Sequence, residues 1–173
     1  DENTLFVVEK ISPEKLRYQA KAYGSESLVE AYREMLPGAT ETELAIELGT
    51  DFTFKIPAIR HAEDRIAHGA DTWMYQFDWE SRNVHLKATH ALEIPFVFNT
   101  LTSSGVDSFI GEGELPQAVS DEMHSVWTSF IQGDEPGWPK YDLEKRTVKH
   151  FDDTSSLVDN GELPRLNAWE GIR

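Results

Sequence analysis

The sequence predicts a helix-rich α/β fold with a few sheet strands, too few to complete a sheet of its own. Three observations point there. Helix-start and helix-stop residues punctuate the chain as far as His68 and return at Leu115. One stretch, residues 72–79, alternates strictly, with Trp73, Tyr75, Phe77 and Trp79 interleaved with Met74, Gln76 and Asp78. Only two more short runs, 146–151 and 156–158, read as strands. One strong strand and two weak ones make a poor sheet. Either the chain is mostly helical, or its strands pair with strands on another polypeptide.

Each element has a local cause. Residues 1–9 read as a loop leading into the apolar Leu5-Phe6-Val7-Val8. Ser12-Pro13 starts a helix, serine as cap and proline at the first helical position, and Gly24 stops it. Ser25 or Ser27 caps the next, with Leu28, Val29, Tyr32, Met35 and Leu36 at helical spacing, and Pro37-Gly38 ends it. Thr40-x-x-Glu43 has the form of a capping box before Leu44, Ala45 and Leu48. Residues 51–68 predict another helix, with Phe52, Ile56, Ile59, Ala62 and Ile66 on one side and Pro57 as a kink or in an early turn. Residues 80–89 form a polar loop, and the Gly/Ser-rich 101–113 is expected to be mobile. Leu115-Pro116 opens a long amphipathic helix carrying Val119, Met123, Val126, Trp127, Phe130 and Ile131, stopped by Gly133. Gly137-Trp138-Pro139 makes an irregular turn, and residues 166–169 close with a helical turn. No linker, repeat or low-complexity tract interrupts residues 1–173, which read as one piece with no internal boundary.

Composition narrows the function classes. With 16 basic and 31 acidic residues the net charge is −15, which repels phosphate backbones and anionic lipid. Nucleic-acid and membrane-surface partners are not expected, and no apolar run of bilayer-spanning length exists. The absence of cysteine excludes disulfides, thiolate catalysis and cysteine-based zinc sites. It permits a cytoplasmic location, and no signal peptide is evident at a start that itself looks truncated.

Chemistry centres on Ala88-Thr89-His90-Ala91-Leu92-Glu93-Ile94-Pro95-Phe96-Val97-Phe98. A histidine between small residues, just ahead of an apolar run with a proline, is the pattern of a loop presenting an imidazole at a sheet edge. Histidine's unperturbed pKa of about 6.5 suits it to take and return a proton near neutral pH. The commoner fate of a single loop histidine is to be satisfied by backbone, and local physics does not decide between the two. Glu93 can orient the loop or form a surface ion pair. At the other end, Asp1-Glu2-Asn3-Thr4-Leu5-Phe6 sets two acids before an apolar run, ordinarily a solvated turn.

Both segments resemble the type-B carboxylesterases, an α/β-hydrolase family: 88–98 resembles its histidine loop, and 1–6 its acid loop, with Glu2 at the carboxylate position. Asn3 stands where glycine is usual, a mild change because asparagine tolerates the left-handed region. Ala91 also replaces a frequent glycine. Thr50-Asp51-x-x-Phe54-x-x-Pro57 with Ala62 and Gly69, the strand 73–79, and Trp127-x-x-Phe130, Gly133, Pro136 and Trp138-Pro139-x-Tyr141 resemble further family signatures. The tryptophans and phenylalanines among them read as core. The resemblance implies the C-terminal portion of an α/β-hydrolase fold and a triad running Ser, acid, His along the chain. Glu2 then orients His90, the general base, and Leu92 and Phe96 are expected to line an acyl or alcohol pocket.

The nucleophile is missing from this stretch. The family's serine sits in Gly-x-Ser-x-Gly, but the one pair of glycines four apart, Gly133 and Gly137, flanks Glu135. The glycine-rich oxyanion loop is absent too. The expected partner is therefore the N-terminal part of the same enzyme, carrying the serine, with a small-molecule ester as substrate and no cofactor. The chain alone is expected to be inactive and to expose apolar surface that a second copy can cover. Its start within the acid loop favours a truncated product or proteolytic fragment. Two other readings compete. One is a non-catalytic esterase-like binding or adhesion protein, against which the retention of Glu2 and His90 argues. The other is a metal site at His61 with Asp64 or His85 with His90, whose spacing matches no zinc motif.

Overall fold

A computed structural model describes residues 10–83 and 86–172. Contacts separate two compact units, Asp1–His68 with Gly161–Arg173, and Gly69–Asn160.

The first unit is helical. In α1 (Pro13–Tyr23) the Ser12 hydroxyl accepts the Lys15 N–H, and Gly24, at φ 131°, ends the helix. In α2 (Ser27–Met35) Ser27 falls inside the first turn and its N–H donates to the Ser25 hydroxyl at 3.2 Å. Thr40 and Glu43 close both arms of a capping box on α3 (Glu41–Thr50). The new helix expected at Asp51 is instead a continuation. Thr50 (φ −63°, ψ −47°) and Lys55 (φ −67°, ψ −53°) stay right-handed, and α3 passes through one π turn, Asp51–Lys55, into α4 (Ile56–Ala67). Pro57 explains the widening. It brings no N–H, and its ring collides with the carbonyl four residues back in an α-helix, so a wider turn just before it relieves the clash.

Leu16, Leu28, Val29, Tyr32, Leu44, Leu48, Ile56 and Trp169 form the core of this unit. Helix α8 (Leu163–Ala168) is longer than the single turn expected and brings Trp169 into that core. A polar chain runs through it. Trp169 Nε1 donates to the Tyr32 hydroxyl at 2.7 Å, and that hydroxyl donates to Asp51 Oδ2. Arg165 bonds Asp51 at 2.6 Å and Glu47 at 2.8 Å. Burial pushes the fully enclosed Asp51 carboxyl above its ordinary range, against the pull of the Arg165 guanidinium and the Tyr32 hydroxyl.

The second unit holds the sheet. β1 (Met74–Phe77) runs parallel to β2 (Val148–Phe151), in register from Met74↔Val148 to Phe77↔Phe151. β2 pairs antiparallel with β3 (Ser156–Val158). The centre of the sheet is β2, not the aromatic-rich β1. Aromatic alternation reports which side chains find cover, not how many strands hydrogen-bond to the backbone. Among the described residues β1 keeps one edge unpaired.

Trp79, Leu92, Phe96, Met123, Trp138 and Phe151 build the second core. Helix α7 (Gln117–Gln132) holds α5 (Ile94–Val97): Ser120 Oγ donates to the Phe96 carbonyl at 3.1 Å, and His124 Nδ1 lies 2.8 Å from the Val97 carbonyl. The apolar stripe of α7 is buried only in its first half, and Phe130 and Ile131 are exposed. The stretch 101–113 contains a short helix, α6 (Val106–Ile110), docked by buried Ile110. No helix among the described residues is long and apolar enough to cross a membrane.

Candidate active site

β1 ends at Phe77, but the chain remains tied to the sheet. The N–H groups of Asp78 and Trp79 both donate to the Phe151 carbonyl, at 2.8 and 3.2 Å. Trp79 is buried against Phe96, ring centroids 5.1 Å apart, and its Nε1 donates to Asp153 at 3.1 Å. The loop bearing His90 therefore leaves the carboxyl end of two parallel strands, which is where open α/β sheets place their ligand sites.

His90 is exposed, at the start of a tight turn. The Thr89 carbonyl accepts the Leu92 N–H at 3.2 Å, and the Ala91 carbonyl accepts the Ile94 N–H at 3.3 Å. Ala91 pays for this turn with φ 69°, the left-handed region that glycine adopts freely. The apolar residues that follow fix the far side of the loop. Leu92 and Phe96 are both fully buried in the core, which corrects the expectation that they line a substrate pocket. Their side chains hold the loop down, and His90 stands outside.

Glu93 faces a different hollow, of about 380 Å³, lined by Tyr75, Ile94, Phe98, His124, Trp127 and Ile131 among others. Burial and the Glu93 charge push the Tyr75 phenol up, with Trp127 opposing them. Glu93 thus acts on the groove beside the histidine loop.

Glu2, the expected carboxylate, lies outside the described residues, as does His85. His61 is exposed on α4, and it is His68 whose Nδ1 approaches Asp64, at 3.5 Å. Among the described residues no three His, Asp or Glu side chains group as metal ligands.

One acid–imidazole pair escapes sequence reasoning. His150 Nδ1 lies 2.5 Å from Asp78 Oδ2, and Gln76 Nε2 donates to the other Asp78 oxygen at 2.5 Å. It joins the carboxyl ends of β1 and β2. Only the register Gln76↔His150 could have revealed it, and nothing local encodes that register.

A model of the carboxylesterase family matches residues 2–169. The para-nitrobenzyl esterase of Bacillus subtilis is 31% identical over 144 residues, covering 78% of this chain and 28% of that protein. The acylcarnitine hydrolase of Rattus norvegicus is 31% identical over 136 residues, 71% of this chain and 23% of its own length. A carboxylesterase structure from Geobacillus stearothermophilus superposes with a TM-score of 0.78 at 32% identity, covering 90% of this chain and 34% of that one. A pNB esterase structure gives 0.72 at 28% identity, over 91% and 33%. The chain thus spans about a quarter to a third of the length of these four relatives. Its helices and its small mixed sheet are those of part of an α/β-hydrolase fold, and the chain belongs to the carboxylesterase family.

Proposed function

We propose that this chain is the C-terminal portion of a serine-dependent carboxylic ester hydrolase, and that His90 is its proton shuttle. The carrying observation is that His90 is held at the carboxyl end of β1 by a loop whose flanking apolar side chains are sunk in the core, leaving the imidazole at the surface. Glu2 is the carboxylate that orients it. The serine and the oxyanion donors belong to the N-terminal part of the enzyme, which completes the sheet along the edge of β1 that no described residue pairs.

The chemistry assigned to His90 is a proton relay. As the serine oxygen bonds to the ester carbonyl carbon, His90 takes the hydroxyl proton and the carbonyl electron pair moves onto oxygen. When the intermediate collapses, the bond to the alcohol oxygen breaks and that oxygen takes the proton from the imidazolium. Water repeats the sequence on the acyl-enzyme, releasing the carboxylic acid and restoring the serine. Glu2 stabilises the imidazolium and fixes the tautomer.

p-Nitrophenyl acetate tests this. The chain alone is expected to give no rate above its His90→Ala variant, and the full-length protein a rate that His90→Ala lowers by about 10⁴-fold or more. Undiminished turnover in full-length His90→Ala refutes the assignment. A full-length protein with no serine at the nucleophile position would make it a binding protein.

A further inference from the structure

We infer that residues 105–114 buttress the histidine loop, and that Ser81 and Gly111 are positioning residues for His90. This rests on the reading of His90 as the base. Ser81, only 7% exposed, ties the loop at three points. Its hydroxyl donates to the Phe109 carbonyl at 2.5 Å and accepts the Asn83 N–H at 3.0 Å, and its own N–H donates to the Lys87 carbonyl at 3.1 Å. The next residue repeats the link: the Arg82 N–H donates to the Ile110 carbonyl at 2.9 Å, and its guanidinium to the Glu114 carbonyl.

Gly111 lets the two segments touch. It has φ +83°, and a Cβ there would stand 2.7 Å from the Asn83 nitrogen and 2.9 Å from the Arg82 carbonyl carbon. Both atoms are backbone, so a methyl group at 111 pushes the loop itself rather than a side chain. A single residue type fits this contact.

The reach of the chain carries the effect to the imidazole. Lys87, which Ser81 holds, is three residues before His90, and buried Leu92 is two after it. Extended chain spans at most about 3.5 Å per residue, so the His90 Cα stays within about 11 Å of one tether and about 7 Å of the other. Moving the Ser81–Lys87 leg leaves the Leu92 leg fixed in the core and swings the residue between them. The buttress therefore governs proton transfer without touching substrate.

In the full-length protein, Ser81→Ala and Gly111→Ala are each expected to lower kcat on p-nitrophenyl acetate about 10- to 100-fold, with KM unchanged, as for a misplaced catalytic group. Ser81→Thr, which keeps the hydroxyl, restores most of the rate. Ser25→Ala serves as control, since the Ser25 hydroxyl bonds the Ser27 hydroxyl at 2.7 Å and touches neither the buttress nor the histidine loop. Histidine Cε1–H NMR of the same proteins gives the second readout: the His90 resonance moves in Ser81→Ala and Gly111→Ala while those of His61 and His68 stay. Rates and a His90 resonance indistinguishable from the control overturn the inference. If His90→Ala proves fully active, the esterase assignment fails separately, and the His90 resonance alone judges the buttress.

Discussion

The cost of single residues is clearest at Ala91 and Asp51. Ala91 holds φ 69° inside the histidine turn. A Cβ in that region costs about 1–2 kcal/mol, partly offset by the greater freedom glycine has when unfolded. Ala91→Gly should therefore raise stability by about 0.5–1 kcal/mol in urea unfolding, and a lower midpoint would mean that the turn is not strained. Asp51 is the converse case, a fully enclosed carboxylate tolerated because Arg165 and Tyr32 reach it. Arg165→Met leaves that charge unpaired and should cost about 3–5 kcal/mol. The pH dependence follows from the direction of the shift. Asp51 titrates higher folded than unfolded, so its contribution falls as pH rises from the ordinary value of 3.8 towards the folded one. Removing Arg165 raises the folded value further. The deficit of Arg165→Met should thus be largest near neutral pH and shrink as pH is lowered towards 3.8 and below; a deficit that grows on acidification contradicts this account.

At the scale of elements, what is local was legible and what depends on distant partners was not. The Ser12 cap, the Gly24 stop and the Thr40–Glu43 box are formed by residues three or four apart or by one backbone angle, so sequence spacing reveals them. Thr40→Ala removes the hydroxyl arm of its box, leaving the Thr40 N–H to Glu43, and should lower the thermal midpoint by the equivalent of about 1 kcal/mol; an unchanged midpoint would show that packing alone sets the start of α3. The merger of α3 and α4 was hidden because Pro57 ordinarily signals a break, whereas a π turn absorbs it here. The order β1–β2–β3 was hidden because Met74 and Val148 meet only across the sheet. The site divides the same way. His90 announces itself by its neighbours, but the Ser81–Phe109 and Asp78–His150 contacts join segments 28 and 72 residues apart.

For the whole molecule, the exposed apolar side chains of the second unit are the feature to account for. Phe98 is 67% and Ile131 76% exposed, and both border the hollow that reaches Tyr75 on β1. Beside them β1 has an edge without a partner among the described residues. Contiguous apolar surface next to an unpaired strand is a template for association. In the intact enzyme the N-terminal part is the proposed cover; without it, a second copy is the nearest substitute. Sedimentation of the isolated chain should show concentration-dependent self-association, and Phe98→Asp with Ile131→Asp should weaken it without lowering the unfolding midpoint, because neither side chain is in the core. Adding the N-terminal polypeptide should replace self-association by a one-to-one complex. A chain that stays monomeric at every concentration would mean that this surface is stably hydrated, and the argument that it awaits the rest of an esterase would lose its physical basis.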